Sequence, residues 1–237
     1  MDLHYGKIPI PVLFENHACL VLDKPAGLAV QGGEGVKVSL DSLLAEQISP
    51  RPLLVHRLDR DTSGVLLVAK TKDAAAAFSG LFAGRKNTGN MKNGSRIIKQ
   101  YLGVCYRIPE PKQGVIRLKL DVRGQKKESE TFYTFLYDRT ACGIVFSLLE
   151  LELGTGRMHQ IRRHLAQTGT PLLGDDKYGD FALNKKLRKG MGLKNLLLHA
   201  CSLIILPLPG ILPEGLDIKA PLPPYFSGFL DGLSEYP

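Results

Sequence analysis

Two polar clusters combine side chains able to do chemistry. Residues 55–64 read VHRLDRDTSG and stand between an extended entry and an apolar run. Loops carried on a rigid sheet are where site residues tend to sit. In extended backbone, alternation places Arg57 and Asp59 on one side and Leu58 on the other. The second cluster, residues 154–164, reads GTGRMHQIRRH. Its glycines favour close approach of a ligand to the backbone, and a helix start attracts anions. The pattern predicts a helix over Met158–Thr168 with Gly169 just past its end. Met158, Ile161 and Leu165 are its expected buried stripe, with His159, Arg162 and Arg163 facing outward or into a cleft. A solvated charged turn and a basic surface helix start are the plainer readings of the two clusters.

Other chemistries find little support. No G-x-x-x-x-G-K-[ST] occurs, and the glycines at 32–35 do not form G-x-G-x-x-G, so neither ATP nor a dinucleotide is indicated. His159 and His164 stand five apart, where a metal-binding helix wants four with an intervening Glu. The four cysteines Cys19, Cys105, Cys142 and Cys201 share no metal-ligand spacing. They read as reduced, mostly buried thiols of a cytoplasmic protein. A hydrolase would rest on Ser63 with His56, without a G-x-S-x-G elbow.

The chain has 237 residues, with 31 Lys and Arg against 23 Asp and Glu, a net charge of +8. That length buries a core without staples. The surplus of cations favours phosphate-rich partners. No apolar or Arg-rich leader opens the chain, and no apolar stretch is long enough for a membrane helix.

The elements that must position these residues are legible in outline. Cys19–Asp23 is a short buried strand ending at Lys24-Pro25-Ala26-Gly27. Ser39 caps an expected helix through Ile48, Val65–Ala69 is a buried strand, and Asp73 is the expected cap of a helix through Phe82. Alternation in Val115–Val122 and Leu149–Leu153 predicts half-solvated antiparallel strands. Residues 86–95 and 185–194 read as polar or basic loops, and the prolines after Leu206 as a closing loop and extended tail. The expected fold is one mixed α+β domain over residues 1–237, with a mainly antiparallel central sheet flanked by helices and loops.

HRLDRDTSG with VLLVAK, and GTGRMHQIRRHLAQTGTPLLGDDKYG beyond it, resemble the signature blocks of the RluA-type pseudouridine synthases. LVLDKPAGLAVQGG, IIKQYLGVC, LLLHACSLIILP and APLPP resemble its other blocks, in order. The resemblance implies a pseudouridine synthase catalytic fold and isomerisation of uridine in RNA, with no cofactor or metal. It maps the catalytic aspartate to Asp59, the active-site tyrosine to Tyr101, and an arginine that pairs the aspartate to Arg162. Asp59 either attacks C1′ or takes a proton from C2′. Tyr101 stacks on the uracil. Arg57 fills the vacated space or holds the flipped-out strand, with His56 supporting that loop. Arg157, His159 and Arg163 contact phosphates. Large-subunit (23S) ribosomal RNA is the expected substrate, with tRNA or a non-catalytic ribosome-assembly factor as alternatives. A monomer is expected, and the short segment before the first strand leaves no room for an N-terminal S4 domain.

Overall fold

Seven residues in a row, Ser63–Ala69, are buried, as an uninterrupted VLLVA run requires of a strand covered on both faces. The computed structural model describes residues 3–83, 97–122 and 124–233. In chain order the elements are β1 (Leu3–Tyr5), β2 (Ile8–Ile10), β3 (Val12–Glu15), β4 (Cys19–Lys24), α1 (Leu40–Gln47), β5 (Leu53–Leu54), β6 (Ser63–Ala69) and α2 (Lys72–Phe82). There follow β7 (Ile97–Tyr106), β8 (Gln113–Val122), β9 (Gln125–Ala141), β10 (Ile144–Leu153), α3 (Gln160–Gln167), α4 (Phe181–Gly190), β11 (Leu198–Ile205), β12 (Leu216–Lys219) and α5 (Pro224–Gly232). The chain falls into two compact units, Met1–Lys99 with Ala200–Pro221, and Gln100–His199 with Leu222–Pro237.

In the first unit the strands run in the order β3-β4-β6-β11, with β12 against β11 and β5 against β6. β4 pairs antiparallel with β6, from Cys19 opposite Ala69 to Lys24 opposite Gly64. Val21, Val65, Leu67 and Leu203 pack with Phe78 of α2 into its core. In the second unit the order is β7-β10-β9-β8, antiparallel throughout. Its core joins Val104, Phe146 and Leu148 to Leu187 of α4 and to Phe226 and Phe229 of α5. The expected mixed α+β class with mainly antiparallel pairing is what the chain adopts.

Local expectations meet four corrections. The cap of α2 is Thr71, whose side chain accepts the Ala74 amide, and Asp73 lies in the first turn. Residues 181–190 form α4 where a basic loop was expected. Asp180 caps it, and Leu183 and Leu187, one turn apart, turn inward to the core. The tail carries β12 and α5, whose Pro224 occupies the first turn, where a missing amide costs nothing. Met158 is 58% exposed, while Arg162 is buried in its place. The polar stretch 86–95 lies outside the described residues.

Candidate active site

Asp59 stands at a turn that the chain fixes from several sides. Its carbonyl accepts the Thr62 amide at 3.2 Å. The next residue, Arg60, accepts the Gly27 amide at 2.9 Å and returns its own Nε to the Gly27 carbonyl at 3.1 Å. Leu58 is buried under the turn, Asp59 is half-buried, and Arg57 is exposed, as alternation requires.

Lys24 completes this support. It is fully buried, and its Nζ donates to the carbonyls of Pro25 at 2.8 Å, Leu28 at 2.9 Å and Arg60 at 3.0 Å. Burial pulls the ammonium down to about 7, while the charges of Asp61, Asp59 and Asp23 pull it back up. Three acceptors match the three N–H groups that only the charged amine offers. Lys24 therefore ties the Lys-Pro turn to the Asp59 loop and brings positive charge near Asp59. Sequence reasoning passed over it, though a lysine ending a buried strand beside a turn was a visible signal.

His56 is half-buried, stacked on Phe82 with ring centroids 3.9 Å apart. Its Nε2 accepts the Leu67 amide at 2.9 Å. Burial, with the Lys99 charge beside it, pushes the imidazole down to about 3. It is a neutral acceptor that anchors the loop to β6. Ser63 is buried, and the His56 Nε2 accepts the Leu67 amide. Gly64 has φ +108, and a Cβ there would fall on the Ala200 carbonyl. Only glycine fits this step out of the loop.

In the second unit, Tyr101 is buried on β7 directly opposite Leu151 of β10. The loop before α3 is organised by Gln160, another residue sequence reasoning missed. Its Oε1 accepts from the Thr155 hydroxyl at 2.6 Å and the Arg157 amide at 3.1 Å. Its Nε2 donates to the Glu130 carbonyl at 2.7 Å and to Thr131 at 3.1 Å. Arg157 is half-buried, and its Nε has no hydrogen-bond partner among the described residues. Arg163 donates to the Asp121 carbonyl at 3.2 Å.

His159 begins α3 with φ 52, and its Nδ1 lies 2.9 Å from the Tyr178 hydroxyl. His164 is buried. Ser129 gives its hydroxyl hydrogen to the Leu118 carbonyl, so the His164 Nε2–H donates to Ser129. The two histidines thus have separate partners.

Arg162 is 7% exposed and grips Asp175, itself 2% exposed, through Nε–Oδ2 and Nη2–Oδ1 bonds of 2.8 Å each. Burial alone would raise the Asp175 carboxyl. The hydrogen bonds and charge of Arg162, with the Tyr178 and Lys177 amides, hold it below the ordinary value instead. Asp175 is the first acid after a long acid-free stretch. That contrast was its sequence signal, but nothing in the spacing tied it to Arg162.

Comparison with known proteins gives a consistent answer. The family model for RNA pseudouridylate synthase matches residues 18–167. The chain is 36% identical over 234 residues to a ribosomal large subunit pseudouridine synthase C from Pasteurella multocida, covering 94% of this chain and 68% of that one. It is 35% identical over 192 residues to the mitochondrial RNA pseudouridine synthase 4 of Arabidopsis thaliana, covering 71% of this chain and 40% of that one. The chain thus spans well under half the length of the plant relative. The solved structure of human RNA pseudouridylate synthase domain containing 4 superposes with a TM-score of 0.73 at 28% identity, covering 94% of this chain and 92% of that one.

Proposed function

The chain belongs to the RNA pseudouridylate synthase family, a family of isomerases, and from that premise we propose that it converts specific uridines of large-subunit ribosomal RNA to pseudouridine. The bond from N1 to C1′ breaks, the uracil turns, and C5 bonds to C1′; the C5 hydrogen leaves as a proton and N1 takes one up, so the product is an isomer of the substrate.

Asp59 supplies the carboxylate at the sugar face, attacking C1′ or abstracting the C2′ proton. The observation that carries this reading is the pinned turn: Arg60, next to the half-buried Asp59, is bonded to the Gly27 backbone and to the Lys24 ammonium. Pre-organisation of that kind is what a charge working at one atom requires. Following the family resemblance, Arg162 is assigned as the cation of the reaction and Tyr101 as the ring that stacks on the uracil. A phenol with a pKa near ~10 is a poor base at neutral pH. A uridine must leave its stack to react, at roughly a few kcal/mol. The exposed Arg57 takes its place, and Arg157, His159 and Arg163 hold phosphates.

Support for ribosomal RNA comes from the name of the Pasteurella relative. The free cysteines suit the reducing cytoplasm. Release of tritium from C5-labelled uridine tests the proposal, with deproteinised ribosomal RNA, immature large subunits and bulk tRNA run in parallel. Release from either ribosomal substrate is the expected result. Release from tRNA alone moves the substrate, and binding without release from any of them refutes the isomerase reading.

A further inference from the structure

Arg162 is held in a way a simple structural ion pair does not need. Two parallel N–H···O bonds fix the plane of the guanidinium as well as its position. The carboxylate is held in turn. Its Oδ1 also accepts the amides of Lys177 and Tyr178, each at 3.0 Å. Its backbone is locked as well, with the Asp175 carbonyl accepting from Asn184 Nδ2 at 3.1 Å and from the Gly179 amide at 3.0 Å. The Tyr178 ring lies 5.2 Å from the guanidinium carbon, and its hydroxyl meets His159.

We propose that Asp175 and Tyr178 are positioning residues for the reaction: together they set the plane of the Arg162 guanidinium and so the direction of its other N–H groups. The inference rests on the reading of Arg162 given above. Neither residue needs to touch RNA. With Nε and Nη2 directed at Asp175, the fork geometry dictates where the remaining donors point. A lysine at position 162 could keep the charge but not the direction.

The test uses the full chain and the tritium assay, with RNA affinity and thermal melting measured alongside. Asp175→Asn should lower kcat by about 100-fold, the scale of a small misplacement at a reacting centre, with Kd for RNA within about twofold of wild type. Asp175→Glu should recover at least about tenfold of that loss, since it restores a bidentate acceptor. Because Asp175 acts through Arg162, the Arg162→Ala/Asp175→Asn double variant should be no slower than Arg162→Ala alone. Wild-type kcat in Asp175→Asn, or losses that add in the double variant, would overturn the proposal. Should Asp175→Asn fail to fold, Tyr178→Leu keeps the ion pair and removes the ring. It should lower kcat by about threefold to tenfold at saturating RNA, and wild-type kcat there also overturns the proposal. A wild-type chain that releases no tritium from any RNA defeats the functional reading itself, whereas an active chain indifferent to Asp175 defeats only the positioning role.

Discussion

Charge at single residues is managed here by burial with complete partnering. Lys24, Arg162 and Asp175 are all buried, and each is held by hydrogen bonds that only its charged form satisfies. Removing one member of a buried pair leaves the other uncompensated, at about 3–5 kcal/mol. Asp175→Asn should therefore lower the unfolding free energy by that order in a denaturant titration at pH 7. Replacing both partners, as Arg162→Met/Asp175→Leu, should recover much of the loss. The pH dependence follows from the sign of the shift. The Asp175 carboxyl is held below 3.8 in the folded chain, so its contribution is intact above that pH and fades only as pH falls through the lower folded value. His56 acts in the same direction but nearer neutrality. Its folded pKa of about 3 lies below the ordinary 6.5, so protonation favours the unfolded chain and stability declines as pH drops below 6.5. By pH 5 that loss is about 1–2 kcal/mol. His56→Gln, which keeps an acceptor for the Leu67 amide without titrating, should flatten this part of the stability profile.

At the scale of elements, one loop is tied to three neighbours: to β4 and its turn through Lys24 and Gly27, to β6 through His56, and to α2 through Phe82. Gly64 sets how the loop enters β6. Gly64→Ala should destabilise the chain by at least about 3 kcal/mol, because strain at positive φ adds to a clash with backbone. A denaturant midpoint shifted by less than a few tenths of that would count against this view of the entry. Much of this layout was legible in the sequence. The CLVLD and VLLVA runs became buried strands, Ser39 caps α1, and Leu149, Glu150 and Leu151 alternate as drawn. What escaped was set by tertiary partners. Lysine-rich α4 reads as a loop until its Leu183 and Leu187 find a core. Met158 yields its place to Arg162 because Asp175, thirteen residues away, supplies the partner that makes burying a guanidinium tolerable. Asp59, Arg57 and Tyr101 were named from local pattern and resemblance. Lys24, Gln160 and Asp175 work through contacts that local pattern does not encode.

For the whole molecule, the proposed function and a net charge of +8 together predict RNA binding driven by phosphate contacts. Affinity should fall steeply with salt, each phosphate contact adding about 0.7–0.9 to the slope of log K against log salt. Arg163→Ala or Arg157→Ala should each reduce that slope by about one contact while changing kcat little. An unchanged slope would remove those residues from the RNA surface. On the proposed function, binding and isomerisation should be separable, with Asp59 as the point where they part. The most direct measurement compares wild type with Asp59→Asn for tritium released from C5 of uridine in ribosomal RNA, with Kd for the same RNA measured in parallel. The expected result is release by wild type, none above background from Asp59→Asn, and equal affinity. Tritium released by Asp59→Asn at the wild-type rate would show that the carboxylate of Asp59 does not do the chemistry assigned to it.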